Sequence, residues 1–181
     1  ENLKTLVEAA NFTNTEWNVT AIKAKAAEVL AGKTGAKVTA ASVSGSTATI
    51  TLRYGYSEAT ATIYTPSAVA AQWTAYIEST KLGTTIVPGS DMKYSEVPQI
   101  KDAMYKGYSD IWAAKTEEDA AKALEDSKAA LLNAVKDYVK FLADTVYNKG
   151  EATVIGDKSY TVSEDDYSKA VTAINEATNV A

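Results

Sequence analysis

Hydrophobic positions along this chain follow two periods, and the switches between them mark out its elements. Residues 3–10 and 15–31 read as helices. In the second, Trp17, Ile22, Ala26, Val29 and Leu30 recur near helical spacing, and Gly32 stands where a glycine can end a helix in the left-handed conformation. From Lys37 the period becomes two. Val38 and Ala40, then Ala48, Ile50, Leu52 and Tyr54, then Ala59, Ala61 and Ile63 alternate with polar residues, with turn signals at Gly45-Ser46 and from Gly55 to Glu58. That pattern predicts a three-stranded antiparallel meander with one buried face. Thr65-Pro66 then opens a helix whose stripe is Val69, Trp73, Tyr76 and Ile77, ending by Gly83 and placed to cover the meander.

The second half returns to helical spacing. Val97, Ile100, Met104, Tyr108 and Ile111 recur at steps of three and four to about Ala114, despite Gly107. Thr116 caps the next helix, with Glu117, Glu118 and Asp119 in the first turn, where the helix dipole favours negative charge. Its stripe runs Leu124, Leu131, Val135, Tyr138, Leu142, Val146. A hairpin is expected over 152–162 around Gly156-Asp157, and Ser163 with Asp166 forms a capping box for a last helix bearing Tyr167, Val171 and Ile174. The expectation is an α+β protein: helices packed on a three-stranded antiparallel meander, followed by a mainly helical half with a β-hairpin. Its parts are a helix-plus-meander module at 1–83, a linker at 84–95 rich in turn signals, and a helical module at 96–181.

Composition narrows the chemistry more than the fold. Of 181 residues, 46% are hydrophobic and 23% charged, enough to bury a core. Many of the apolar residues are alanines, which leaves Trp17, Trp73, Trp112, Phe12, Phe141 and the tyrosines as the large anchors. There is no His and no Cys, and Arg53 is the only arginine, so most side chains of acid–base, thiol and anion-binding chemistry are missing. A net charge of -5, with lysines scattered singly, offers no basic patch for nucleic acid. No apolar run approaches the roughly 20 residues that cross a bilayer. The first residue is Glu1 and not Met, and the last predicted helix ends close to Ala181, so we expect a segment of a longer or processed chain.

Few patterns could carry catalysis. Ser90-Asp91-Met92-Lys93 matches a serine–lysine nucleophile pattern and Lys33-Thr34-Gly35 a companion element of penicillin-recognising enzymes, but their order along the chain is reversed and the third element is missing. Paired carboxylates would suffice for glycoside hydrolysis, yet the acids fall on first turns and polar helix faces. The acidic stretch 157–166 could offer oxygens to Ca²⁺, but it lacks the regular calcium-loop spacing, and capping accounts for Ser163 and Asp166. No enzyme activity, cofactor or metal site is expected. Asn11-Phe12-Thr13 and Asn18-Val19-Thr20 have the form of glycosylation acceptors.

Aromatic residues give the best binding signal. Arg53, Tyr54 and Tyr56 stand together at a hairpin end, while Tyr105, Tyr108 and Trp112 sit at i, i+3 and i+7 of one helix. Aromatic faces stack on sugars and anchor protein interfaces. Arg53, Tyr54, Tyr56, Tyr105 and Trp112 are therefore the candidate binding residues.

In the run 113–130, Ala114, Lys115, Thr116 and Glu118 are followed by Ala123, Leu124 and Lys128. This run resembles the alanine-rich helical repeats of Gram-positive surface-layer and cell-wall-associated proteins, although Ser127 stands where those repeats carry alanine. The richness in Ala, Thr, Ser, Tyr and Lys is of the same kind. The resemblance implies an extracellular, cell-surface location and a structural role. The expected partners are neighbouring protein domains or subunits, with cell-wall glycan as a further candidate. The alternative expectation is a carbohydrate- or peptide-binding domain of a secreted protein, marked by a groove lined by Tyr54, Tyr56 or Trp112.

Overall fold

The computed structural model describes residues 2–86, 91–155 and 157–180. In order, the elements are α1 (Leu3–Ala9), α2 (Val19–Val29), β1 (Ala36–Ser44), β2 (Thr47–Tyr54), β3 (Ser57–Tyr64), α3 (Ser67–Ser79), a short 3₁₀ turn (Tyr94–Glu96), α4 (Pro98–Ala113), α5 (Glu117–Val146), β4 (Thr153–Ile155), β5 (Lys158–Tyr160) and α6 (Glu164–Glu176). The fold is α+β, with β1-β2-β3 an antiparallel meander and β4-β5 a separate hairpin. Among the described residues, no helix is long and apolar enough to cross a membrane. The chain divides into two compact units, Glu1–Gln72 with Ser109–Leu124, and Trp73–Tyr108 with Glu125–Ala181, the boundaries falling inside α3, α4 and α5.

The first unit is built on the meander. Ala48, Ile50 and Leu52 of β2 and Ala61 and Ile63 of β3 point to one face and are buried, joined by Val7 of α1, Phe12, Ile22 and Ala26 of α2, and Leu30. Each large aliphatic side chain so removed from water contributes about 1.5–3 kcal/mol. The helices over the sheet are α1 and α2, with α1 against β3 and α2 against β1. α3, expected to cover the meander, is divided between the two units, with its Val69 and Ala70 buried.

Three local expectations are corrected in this unit. The second helix starts at Val19 and not near Thr15, because Asn18 takes the N-cap and its Oδ1 accepts from Ala21 N at 2.9 Å. Trp17 is thereby left outside the helix, where its Nε1 donates to Gly45 O at 2.8 Å. At the other end the helix closes on Leu30, and the left-handed glycine is Gly35 (φ 82°) and not Gly32. Two successive turns, Lys33 N to Leu30 O and Ala36 N to Lys33 O, delay the reversal by three residues. In β1 the register shifts between Val38 and Ala40, so Ala40 is exposed while Ala41 and Val43 turn inward. One extra residue in a strand moves every later side chain to the other face.

The second unit holds its elements with aromatic rings. Trp73 is fully buried, stacked on Tyr76 with centroids 5.7 Å apart and met edge-on by Tyr108 at 6.4 Å. Its Nε1 donates to Met104 O at 3.2 Å, and Thr74 Oγ1 is hydrogen-bonded to Tyr108 OH at 2.9 Å. Gly107, which looked like a weakness in α4, is what admits the indole: a Cβ there would lie 2.6 Å from two carbons of the Trp73 ring. Val97, Ile100 and Leu131 are fully buried in the same unit.

Thr116 caps α5 through Asp119 N at 3.0 Å, and Ser163 caps α6 through Asp166 N at 3.1 Å. Tyr167 of α6 stacks on Tyr147 at 4.3 Å and donates its hydroxyl to Asp144 Oδ1 at 2.6 Å. That bond holds the Tyr167 phenol pKa above its usual value. Phe141, expected as an anchor, is 60% exposed and stacks on Tyr138 at 6.1 Å, while the half-buried positions beside it are Tyr138 and Leu142.

Of the expected linker at 84–95, residues 87–90 lie outside the described residues, and Ser90 of the serine–lysine pattern with them. The flanks meet in a bridge between Thr85 and Lys93, and Ile86 N donates to Met92 O at 3.0 Å. Gly156 of the second hairpin turn is likewise outside the described residues.

Candidate functional site

Both places that could receive a ligand through the expected residues belong to the first unit. β2 and β3 are joined by a two-residue turn, Gly55 and Tyr56, in which Gly55 takes φ 58°. A positive φ at the first central position suits the twist of a tight hairpin. Arg53 Nε donates to Gly55 O at 3.0 Å, tying the turn to its own strand. Tyr56 at the tip is wholly exposed (101%) and Tyr54 is 59% exposed. An arginine and two tyrosines are thus held at the end of a braced hairpin, with their rings open to water.

Tyr54 also forms a wall of an open groove of about 600 Å³, within the range of ordinary ligand sites. Leu3, Leu52 and Ala59 contribute apolar lining, and Asn2, Thr34 and Glu58 contribute polar groups. The Cε2 edge of Tyr54 lies beside the left-handed Gly35, 3.5 Å from where a Cβ there would sit.

The second place is a smaller cleft of about 130 Å³ lined by residues from four separate stretches, among them Glu8, Asn11, Trp17, Tyr64, Trp112 and Lys115. α1 brings Glu8, whose Oε1 accepts from Thr62 N at 2.9 Å and faces Lys4 Nζ at 3.9 Å. Asn11 Oδ1 accepts from Thr13 N at 2.8 Å, fixing the turn after α1. Trp17 is oriented by its bond to Gly45 O, Tyr64 closes β3, and the end of α4 supplies Trp112. Burial pushes the Tyr64 phenol pKa up, and the nearby Glu117 carboxylate adds to the shift.

The five candidate residues are therefore not one patch. Arg53, Tyr54 and Tyr56 share the hairpin, while Trp112 belongs to the smaller cleft. Tyr105 is in the second unit, 63% exposed, with Lys101 Nζ 5.9 Å from its ring centroid. Its neighbour Tyr108 is taken up by Trp73 and Thr74. Sequence reasoning missed Glu8, Trp17 and Tyr64. The signal for Trp17 was Asn18, whose capping preference places the tryptophan before the helix. Among the described residues no group of three or more acids is gathered where a metal ion could be held. No protein-family model, no curated protein and no solved structure matches this chain.

Proposed function

We propose that this chain is a non-catalytic interaction module of a secreted bacterial surface protein of the surface-layer-like kind, acting outside the cell by presenting aromatic contacts to neighbouring subunits or domains. The observation that carries the reading is the braced hairpin tip, where Arg53 secures the turn while Tyr54 and Tyr56 stay exposed. Exposed tyrosines on a preorganised turn are costly in water and bring large contact area with little entropy to lose, which suits an interface anchor. The alanine-rich run at 113–130 supports the same class of parent protein by resemblance.

Sedimentation velocity over a concentration series, with and without Ca²⁺, tests it. The reading predicts a sedimentation coefficient that rises with concentration, and a strict monomer in both conditions would count against it. A second reading, a carbohydrate- or peptide-binding domain of a secreted protein, draws on the groove beside Tyr54, where an aromatic wall meets hydroxyl, amide and carboxylate side chains. A glycan and peptide array tests that one, with loss of signal in Tyr54→Ala expected.

A further inference from the structure

We infer that the cleft formed by Trp17, Tyr64 and Trp112 is a site for a single neutral sugar ring, such as the terminal residue of a glycan. The inference rests on the second, carbohydrate-binding reading and places a ligand away from the Tyr54 groove; it does not depend on self-association.

Size and lining argue together. At about 130 Å³ the open cleft is well below the volume that receives a drug-sized molecule, so it can seat one face or edge of a single ring with the rest of the sugar in water. Trp17, Tyr64 and Trp112 are among the lining residues of a mainly polar cleft, and an aromatic ring can meet the C–H face of a pyranose. Around them are hydrogen-bonding groups of both kinds: the carboxylate of Glu8 accepts, the ammonium of Lys115 donates, and the Asn11 amide, whose oxygen is committed to Thr13 N, turns a free NH₂ to bonding.

A purely apolar guest would strip water from these polar groups without replacing its hydrogen bonds. An alkylammonium guest wants aromatic walls with surplus negative charge, but Lys115 lines the cleft opposite in sign to Glu8. A neutral polyhydroxylated ring satisfies both the aromatic and the polar lining. The walls are also preset, since Trp17 is held by Gly45 O and Glu8 by Thr62 N, so little ordering is left for the ligand to impose.

The arrangement provides its own reporter. Trp17 and Trp112 line the cleft, whereas the third indole, Trp73, is fully buried in the other unit. Titration of the intact chain with glucose, galactose and N-acetylglucosamine, followed by tryptophan emission and by calorimetry, should give a saturable change with at least one of them. Trp112→Leu, with Trp17 still reporting, should weaken binding at least tenfold, and Lys115→Ala, an exposed position that folding tolerates, should weaken it several-fold. Far-UV circular dichroism of both variants excludes unfolding as the cause.

Sugar binding that survives both variants and is lost in Tyr54→Ala would overturn the cleft assignment and leave the carbohydrate reading standing. A response to choline with none to sugars would make the cleft a cation site and overturn the inference. Absence of any sugar binding, by either readout, would overturn the inference and leave the second reading to its peptide arm.

Discussion

The two units use their aromatic residues in opposite ways. In the second, Trp73, Tyr76 and Tyr108 pack on one another, Tyr94 meets Tyr138 edge-on, and Tyr147 stacks on Tyr167. In the first, the core is mainly aliphatic and alanine, with Phe12 buried among them, and Trp17, Tyr54, Tyr56, Tyr64 and Trp112 line openings or stand in water. Among the described residues, the ring pairs fall in the second unit. Aliphatic side chains of β2 and β3 pack with those of α1 and α2, whereas in the second unit rings join one element to another. Ring pairs in the second unit hold its elements together, with Tyr105 and Phe141 left exposed, while in the first unit Tyr54 and Tyr56 stand in water.

The sharpest way to break this contrast is to remove the central ring of the second unit. Trp73→Ala should cost about 3–5 kcal/mol, the usual range for truncating a fully buried tryptophan, read as a fall in the urea midpoint. A loss below 1 kcal/mol would mean the ring cluster is not what holds that unit. Gly107→Ala should follow at about 1–3 kcal/mol, since the added methyl meets the indole at 2.6 Å and one of the two must move. In the first unit Asn18→Ala should cost about 1 kcal/mol by removing the cap of α2, measured the same way.

Smaller effects sharpen the comparison. The raised pKa of Tyr64 means the folded state binds this phenolic proton more tightly than the unfolded chain does. Its contribution to stability is fully present below the ordinary tyrosine pKa of 10.0 and is lost as pH rises through the folded value. Tyr64→Phe should accordingly flatten the decline in stability above pH 10.0 and leave neutral pH little changed, as a pH series of denaturation midpoints would reveal. Tyr56→Ala should change stability by less than about 0.5 kcal/mol, because a wholly exposed ring has no folded contacts to lose.

The elements themselves were legible because each hydrophobic period persists over several turns or a whole strand. The alternation at Ala48, Ile50 and Leu52 and the caps at Thr116 and Ser163 are local facts, and the structure contains them as read. What escaped is tertiary. The bulge after Val38 depends on the register with Leu52 and Thr51, and the value of Gly107 depends on an indole 34 positions earlier. Of the candidate residues, the hairpin trio was visible because a two-residue turn brings neighbours in sequence together. The smaller cleft was not, since Glu8, Trp17, Tyr64 and Trp112 come from four separate stretches, and of these the sequence marks only Trp112 as a binding candidate, with Trp17 read as a core anchor.

The central proposal is that the exposed hairpin tyrosines of the first unit meet partners, while the paired rings of the second hold its elements together. Its most direct test is sedimentation velocity of Tyr54→Ala/Tyr56→Ala beside the unaltered protein at matched concentrations. The account predicts association of the unaltered chain and a monomeric variant with an unchanged urea midpoint. Equal association of both, or a variant that has lost its fold, would contradict it.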